Sequence, residues 1–165
     1  RVSAKGRTLF YCGDGQVGED DFKIRQVEAI SQLLASIGWN TSRVTSEESL
    51  ATRESLIESF TEGYLDGLVS IRVLDEGIDI PSCETAYLLA SQSSDRQGIQ
   101  RRGRLLRLFA GKTHAVLYDF VVIGGASDKP SMINLKSKEL DRARKFAMDA
   151  RNSLEVLEQI EMMEK

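Results

Sequence analysis

Apolar residues recur along this chain in two rhythms. Short runs rich in β-branched and aromatic residues, TLFYC (8–12), WNTSRVT (39–45), DGLVSI (66–71), TAYLLA (85–90) and HAVLYDFVVI (114–123), predict strands. Between them the period lengthens. DDFKIRQVEAISQLLASIG (20–38) sets Ile24, Val27, Ile30, Leu33, Leu34 and Ile37 at helical spacing, and SLATRESLIESFTEG (49–63) does the same with Leu50, Leu56, Ile57 and Phe60. Strand and helix in alternation imply βαβ crossovers and a mostly parallel sheet, that is, an α/β fold. Ligands of such sheets sit beyond the carboxyl ends of the strands.

GGASDKPS (124–131) is a polar break containing glycine and proline. After it, residues 137–165 predict one long helix, with Leu140, Ala143, Ala147, Ala150, Leu154 and Leu157 on one stripe. Glu155, Glu158, Glu161 and Glu164 read as its solvated acidic face. The expected organisation is therefore an α/β domain over 1–123, a linker over 124–136 and a helical extension over 137–165.

With 165 residues, 41% of them hydrophobic, the chain is long enough to bury a normal core. Cys12 and Cys83 lie far apart, and His114 is the sole histidine. That pattern suggests neither a metal cage nor a disulfide framework, and it fits a reducing, cytoplasmic setting. No apolar run approaches a membrane span and nothing resembles a signal peptide, so no membrane partner is expected. The chain opens on Arg1 rather than methionine, which suggests a piece of a longer protein. A net charge of -3 argues against a generally basic nucleic-acid coat and leaves local patches open. One is conspicuous: DRQGIQRRGRLLR (95–107) carries five arginines.

Three phosphate-binding patterns can be weighed directly. Gly13, Gly15 and Gly18 match G-x-G-x-x-G after a strand, yet Glu19, Asp20 and Asp21 follow at once, where a helix terminus would have to receive an anion. These glycines read better as a strand-to-helix turn needing backbone freedom. AGKTH (110–114) contains G-K-T but has Leu106 where a P-loop needs glycine, and it precedes a strand, so it reads as a turn. A cysteine-phosphatase loop would need arginine six positions after Cys12, where Gly18 stands, so Cys12 reads as a buried strand-end thiol.

Two segments resist explanation by packing. In VLDEGIDIP (73–81), Asp75, Glu76 and Asp79 surround Gly77 just after a strand. In IQRRGRLLR (99–107), a helix would put Gln100, Arg104 and Arg107 on one face with Arg101 beside them, and Leu105 and Leu106 toward the core. Planar, permanently charged guanidiniums in such a group suit phosphate or carboxylate oxygens. Gly103, which costs about 1 kcal/mol relative to alanine in mid-helix, points to close approach by a ligand or a neighbouring domain.

Taken in order, FYCG, RESLIESFTEG, VLDEGIDIP and QRRGRLLR resemble the motifs of the second RecA-like domain of superfamily 2 helicases, over about residues 7–122. The wording of the last two is closest to bacterial restriction-type or defence-associated DNA translocases. The resemblance implies a three-layer αβα sandwich of RecA-like type. It also implies that Arg104 and Arg107 are arginine fingers on the γ-phosphate of ATP, with Gln100 touching the same phosphate and Arg101 pairing with an acid of a preceding RecA-like domain. Asp79 would accept a hydrogen bond from the ribose, with Gly77 letting the backbone approach. Thr45, Ser46 and Arg53 would hold the phosphate backbone of a nucleic acid, DNA in this reading.

ATP and Mg²⁺ would be bound mainly by the preceding domain, leaving this fragment inactive alone. Ile71 replaces a hydroxyl residue common in relatives and Leu50 a glutamine; Arg72 is the substitute phosphate contact. Two alternatives stand beside this reading: a non-catalytic nucleic-acid-binding or scaffold module that kept the fold, and, more weakly, a dinucleotide enzyme using residues 13–18. The motor reading demands a G-x-x-x-x-G-K-[ST] loop and an acidic D-E-x-x motif upstream of Arg1. Sequencing the parent gene checks this, and their absence from it sinks the reading.

Overall fold

The first strand, β1 (Thr8–Cys12), buries all five of its side chains, as a strand covered on both faces must. The computed structural model describes residues 7–18, 23–71, 80, 82–89, 103, 105–122 and 130–164. Along the described chain, β1 is followed by β2 (Gln16–Val17), β3 (Ile24–Arg25), α1 (Gln26–Ser36), β4 (Thr41–Val44), α2 (Leu50–Thr61), β5 (Gly67–Ile71), β6 (Thr85–Leu88), β7 (Val116–Asp119), α3 (Pro130–Ala147) and α4 (Ser153–Glu164). The chain forms two compact units, Arg1–Tyr118 and Asp119–Lys165.

In the first unit five strands form one parallel sheet in the order β4-β5-β1-β6-β7. Thr8 lies opposite Gly67 on one side and Thr85 on the other, and Thr41 opposite Gly67, so four neighbouring strands start level. The chain leaves β1 toward β4 on one side of the sheet and leaves β6 toward β7 on the other. The carboxyl ends of β1 and β6 therefore flank the switch point at which open parallel sheets bind ligands. This is the α/β RecA-like fold, with a helical segment at the carboxyl end of the chain.

Alternate residues of the strands build the core. Phe10, Cys12, Val69, Ile71 and Tyr87 share one cluster with Val27 and Leu34 of α1 and with Trp39, and Ile30 packs against it. The Phe10 ring stacks on Tyr87 at 5.1 Å and meets Trp39 edge-on at 5.6 Å, while Tyr87 stacks in turn on Tyr118 at 4.7 Å. Leu33 and Ile37, predicted on the buried stripe of this helix, are exposed instead. Val27, Ile30 and Leu34, about one residue per turn of α1, supply this helix's part of the cluster.

Both helices of this unit end in the same way. After α1, Gly38 takes φ +80° and donates to Ala35, while Trp39 N–H donates to the Leu34 carbonyl at 2.9 Å. After α2, Gly63 takes φ +86° and donates to Phe60, and Tyr64 N–H donates to Ser59 at 2.9 Å. These paired bonds satisfy the last carbonyls and need the left-handed backbone that glycine adopts freely.

The structure differs from the sequence expectation at the front of α1. The helix predicted from residue 20 begins only at Gln26, and Ile24 belongs to a short antiparallel ribbon in which Gln16 pairs with Arg25 and Val17 with Ile24. The glycines at 13–18 thus lead into a ribbon rather than straight into a helix, with Gly18 at φ 115° where β2 ends.

In the second unit the single helix expected over 137–165 is two. Pro130 opens α3 inside the stretch expected to be linker; proline suits a first helical position, where its missing N–H has no intrahelical acceptor. The helix breaks at 148–152, where Ala150 donates to Ala147 and Ser153 to Ala150 in tight turns. Leu140, Ala143 and Ile160 form a small core with Val121 and Val156 against it. Leu154, predicted on the same stripe, is exposed. Arg142 donates to both Asp119 carboxylate oxygens at 2.7 and 2.8 Å and to Glu139 at 3.1 Å, with all three side chains largely buried.

The level start of the central strands leaves no room for a side chain at residue 67. A Cβ there would lie 2.9 Å from the Thr8 carbonyl oxygen and 3.2 Å from the Phe10 ring. Gly67→Ala is expected to destabilise the protein by about 1–3 kcal/mol, read as a lowered urea midpoint with unchanged slope; an unchanged midpoint would show that β1 and β5 shift freely.

Candidate functional site

Three loops converge at the carboxyl edge of the sheet: the segment after β1, the segment after β4 and the exit of β6. Gln26, first residue of α1, ties the first of these to the third. Its amide donates to the Gly15 carbonyl at 2.9 Å, its Oε1 accepts from Gly13 N–H at 2.6 Å, and its Nε2 donates to the Leu89 carbonyl at 3.4 Å. The Gly13 amide, which a dinucleotide loop would offer to pyrophosphate, is thus occupied by a side chain of the same chain.

The loop after β4 is held from inside. Glu48 accepts from the Thr45 amide at 2.6 Å and from the Thr45 hydroxyl at 2.8 Å, and the same hydroxyl accepts from Glu47 N–H at 3.2 Å. Ser49 then caps α2, accepting from Thr52 N–H at 3.2 Å. Partial burial pushes the Glu48 carboxyl upward, but the bonds from Thr45 and its own amide, with the charge of Arg43, outweigh it and leave the group below the ordinary carboxylate value.

Arg25 bridges two of the loops. Its Nη1 donates to Glu47 at 2.6 Å, and its Nη2 lies 3.5 Å from Asp14. The hydrogen bond and charge of Glu47, with smaller contributions from Asp14 and Glu28, raise its pKa further.

Of the residues predicted to bind nucleic acid, Thr45, Ser46 and Arg53 come together here. Ser46 is exposed and Arg53 is half-buried on the first turns of α2. Thr45 is buried at 4% exposure with its hydroxyl bonded to Glu48, which gives it a part in shaping the loop. Arg107 is exposed, and it stands beyond the helical stretch that includes Gly103 and Leu105, so the helical register predicted for Gln100, Arg104 and Arg107 does not extend to it. Leu105 is buried as expected, whereas Leu106 is exposed. Gly103 is exposed, with no heavy atom within 4 Å of where a Cβ would stand. Gln100, Arg101, Arg104, Arg72, Gly77 and Asp79 lie outside the described residues.

The remaining candidates resolve plainly. Cys12 and Cys83 are free and buried, and burial pushes each thiol up to about 12, so neither is a nucleophile at neutral pH. Residues 110–114 form the predicted turn, with Gly111 at φ 81° and Lys112 donating to the Leu105 carbonyl. Among the described residues no cluster of histidine, cysteine and carboxylate side chains is able to hold a metal ion. No helix of the described residues is long and apolar enough to cross a membrane.

Arg25, Gln26, Glu47 and Glu48 were not singled out by the sequence. The one available signal was Glu28, whose carboxylate accepts from Arg25 N–H at 3.3 Å and so marks the true helix start.

Comparison with known proteins adds to this geometry. The family described as helicase conserved C-terminal domain matches residues 3–109. The chain is 28% identical over 117 residues to IRC3 of Saccharomyces cerevisiae, covering 70% of this chain and 17% of that protein. It is 29% identical over 122 residues to UvrABC system protein B of Chlamydia trachomatis, covering 74% and 18%. It is 32% identical over 83 residues to the DNA 3'-5' translocase XPB2 of Sulfurisphaera tokodaii, covering 50% and 18%. The chain thus spans less than a fifth of the length of these relatives. In fold it superposes on the C-terminal domain of the DEAD-box protein Dbp5 with a TM-score of 0.59 at 19% identity, covering 98% of this chain and 84% of that one.

Glu48 yields a pH test. A carboxyl held below its unfolded value of 4.5 contributes stability that is present above that pH and is lost as pH falls through the folded value. Glu48→Gln is therefore expected to destabilise the protein at pH 7 by an amount that shrinks as pH falls below 4.5 in urea unfolding; a deficit that does not change with pH would mean that shape, not charge, fixes the loop.

Proposed function

The chain belongs to the helicase conserved C-terminal domain family, and from that premise we propose that it is the second motor domain of an ATP-dependent, restriction-type DNA translocase. The observation that carries the reading is the loop at 45–49. It is braced by Glu48 at the ligand edge of a parallel sheet, and it presents Ser46 outward at the foot of the helix bearing Arg53. The XPB2 relative, a DNA translocase, supports DNA over RNA. Two buried free thiols support a reducing, cytoplasmic setting.

In this reading the nucleic-acid backbone lies along the loop. Ser46 donates to a phosphate, Arg53 and Arg72 supply charge, and Thr45 acts through Glu48 by keeping the loop in shape. Such contacts hold phosphates and carry no sequence information. In the same reading Gly77 allows the backbone close to the nucleotide and Asp79 accepts from its ribose.

Phosphoryl transfer needs a phosphate cradle, Mg²⁺, a positioned water and positive charge at the transition state. The residues of this chain fit only the last. Arg104 and Arg107 offer donors to the γ-phosphate, Gln100 touches the same group, and Arg101 pairs with an acid of the preceding RecA-like domain. ATP supplies the free energy and, with Mg²⁺, is held mainly by that domain. Its hydrolysis weakens the bridge between the domains, so grip and release on the backbone become directional movement.

The test is ATP turnover by the full-length protein with and without single- and double-stranded DNA or RNA. Nucleic acid is expected to stimulate turnover, and Arg104→Ala to lower it by about 10³ to 10⁵ with binding retained. Turnover unchanged by the mutation would leave the arginines a binding or structural role and favour a non-catalytic module of the same fold.

A further inference from the structure

Arg25 closes β3, and its guanidinium reaches across the carboxyl edge to the loop after β4. Its partner there, Glu47, directly follows Ser46, and the two side chains are 31% and 67% exposed. An ion pair this open to water adds little to stability, so stability alone does not account for it. Position does. A carboxylate beside Ser46 repels any phosphate brought to the loop, and Arg25 is the cation that offsets it. Arg25 also lies 3.5 Å from Asp14, which keeps the guanidinium over the edge if Glu47 leaves. Nη1 and Nη2 together carry four N–H donors, more than two monodentate carboxylate contacts use. A phosphate offers a charge-assisted, bidentate partner that matches the planar fork better.

We propose that Arg25 is a phosphate contact for the nucleic acid, held in reserve by Glu47: when a backbone lies along the loop at 45–49, a phosphate replaces Glu47 as the partner of Nη1. The inference rests on the nucleic-acid reading above and adds to it a residue and an internal competitor. Glu47 thereby sets how tightly the loop grips, since the carboxylate that leaves is also the one that returns when the strand is released.

The experiment is fluorescence anisotropy of the full-length protein with labelled oligodeoxythymidine and with a labelled duplex, between 50 and 300 mM NaCl, alongside thermal melting. Removing the competitor in Glu47→Gln is expected to tighten binding by up to about fivefold. Arg25→Gln is expected to weaken it and to lower the slope of log affinity against log salt by about 0.7 on the single strand and 0.9 on the duplex. Arg25→Lys should restore most of the slope, which a merely structural role would not require. Wild-type binding with an unchanged slope in Arg25→Gln, or weaker binding by Glu47→Gln, overturns this inference and leaves the motor reading intact. If Arg25→Gln melts early, Glu47→Gln decides, because it removes no positive charge and must bind tighter. Absence of wild-type binding to either probe removes both readings.

Discussion

The enclosure of β1 is the constraint on which the first unit depends. Its five side chains are buried, and both of its backbone edges are taken by parallel neighbours, β5 and β6. A strand so enclosed has no surface left for chemistry, so function is confined to the loops at its carboxyl end. The register makes the confinement strict, because Gly67 allows β5 to start level with Thr8 and Thr41 and so brings the strand ends to one edge. Gln26 then joins that edge into a single surface, with one residue bonding to Gly13, Gly15 and Leu89.

The same enclosure explains what was legible in the sequence. Strands buried on both faces are continuous apolar runs, so TLFYC and GLVSI stand out and their limits are nearly those observed. The ribbon of β2 and β3 does not, since two residues per strand carry no periodicity. Helix α1 was extended too far forward because its N-cap is Arg25 rather than a serine, threonine, asparagine or aspartate, and because Ile24 happens to continue the helical spacing. The carboxyl-terminal stripe passed unbroken through 148–152 for a related reason. MDARN contains neither glycine nor proline, and the break is made by the backbone turns at Ala150 and Ser153.

At the candidate site, some contacts rest on local spacing and others on topology, and the latter were not legible in the sequence. Ser49 and Thr52 sit at capping distance in the sequence. Arg25 and Glu47 are separated by all of α1, all of β4 and the connections around them, and only the parallel crossover brings them to 2.6 Å. In the second unit, Asp119 and Arg142 meet across a comparable gap. Burial raises the Asp119 carboxyl and the bonds from Arg142 oppose that rise. With a described core as small as Leu140, Ala143 and Ile160, this helical pair gains orientation from the ion cluster that so few apolar contacts do not supply. Removing one partner of such a cluster leaves a buried charge without compensation.

A net charge of -3 speaks against a basic coat, yet the described carboxylates nearest the ligand edge are each answered locally. Glu48 is turned inward onto Thr45, and Glu47 and Asp14 face Arg25. What an approaching anion meets is therefore set by which acids are already engaged, not by the sum over the chain. The field of a pair falls off faster than that of a lone charge, and salt screens what remains within about 8–10 Å. Among the described residues, the acids at this edge thus act on an approaching anion less than three lone carboxylates would, and their pairing, rather than the composition of the chain, sets the field there.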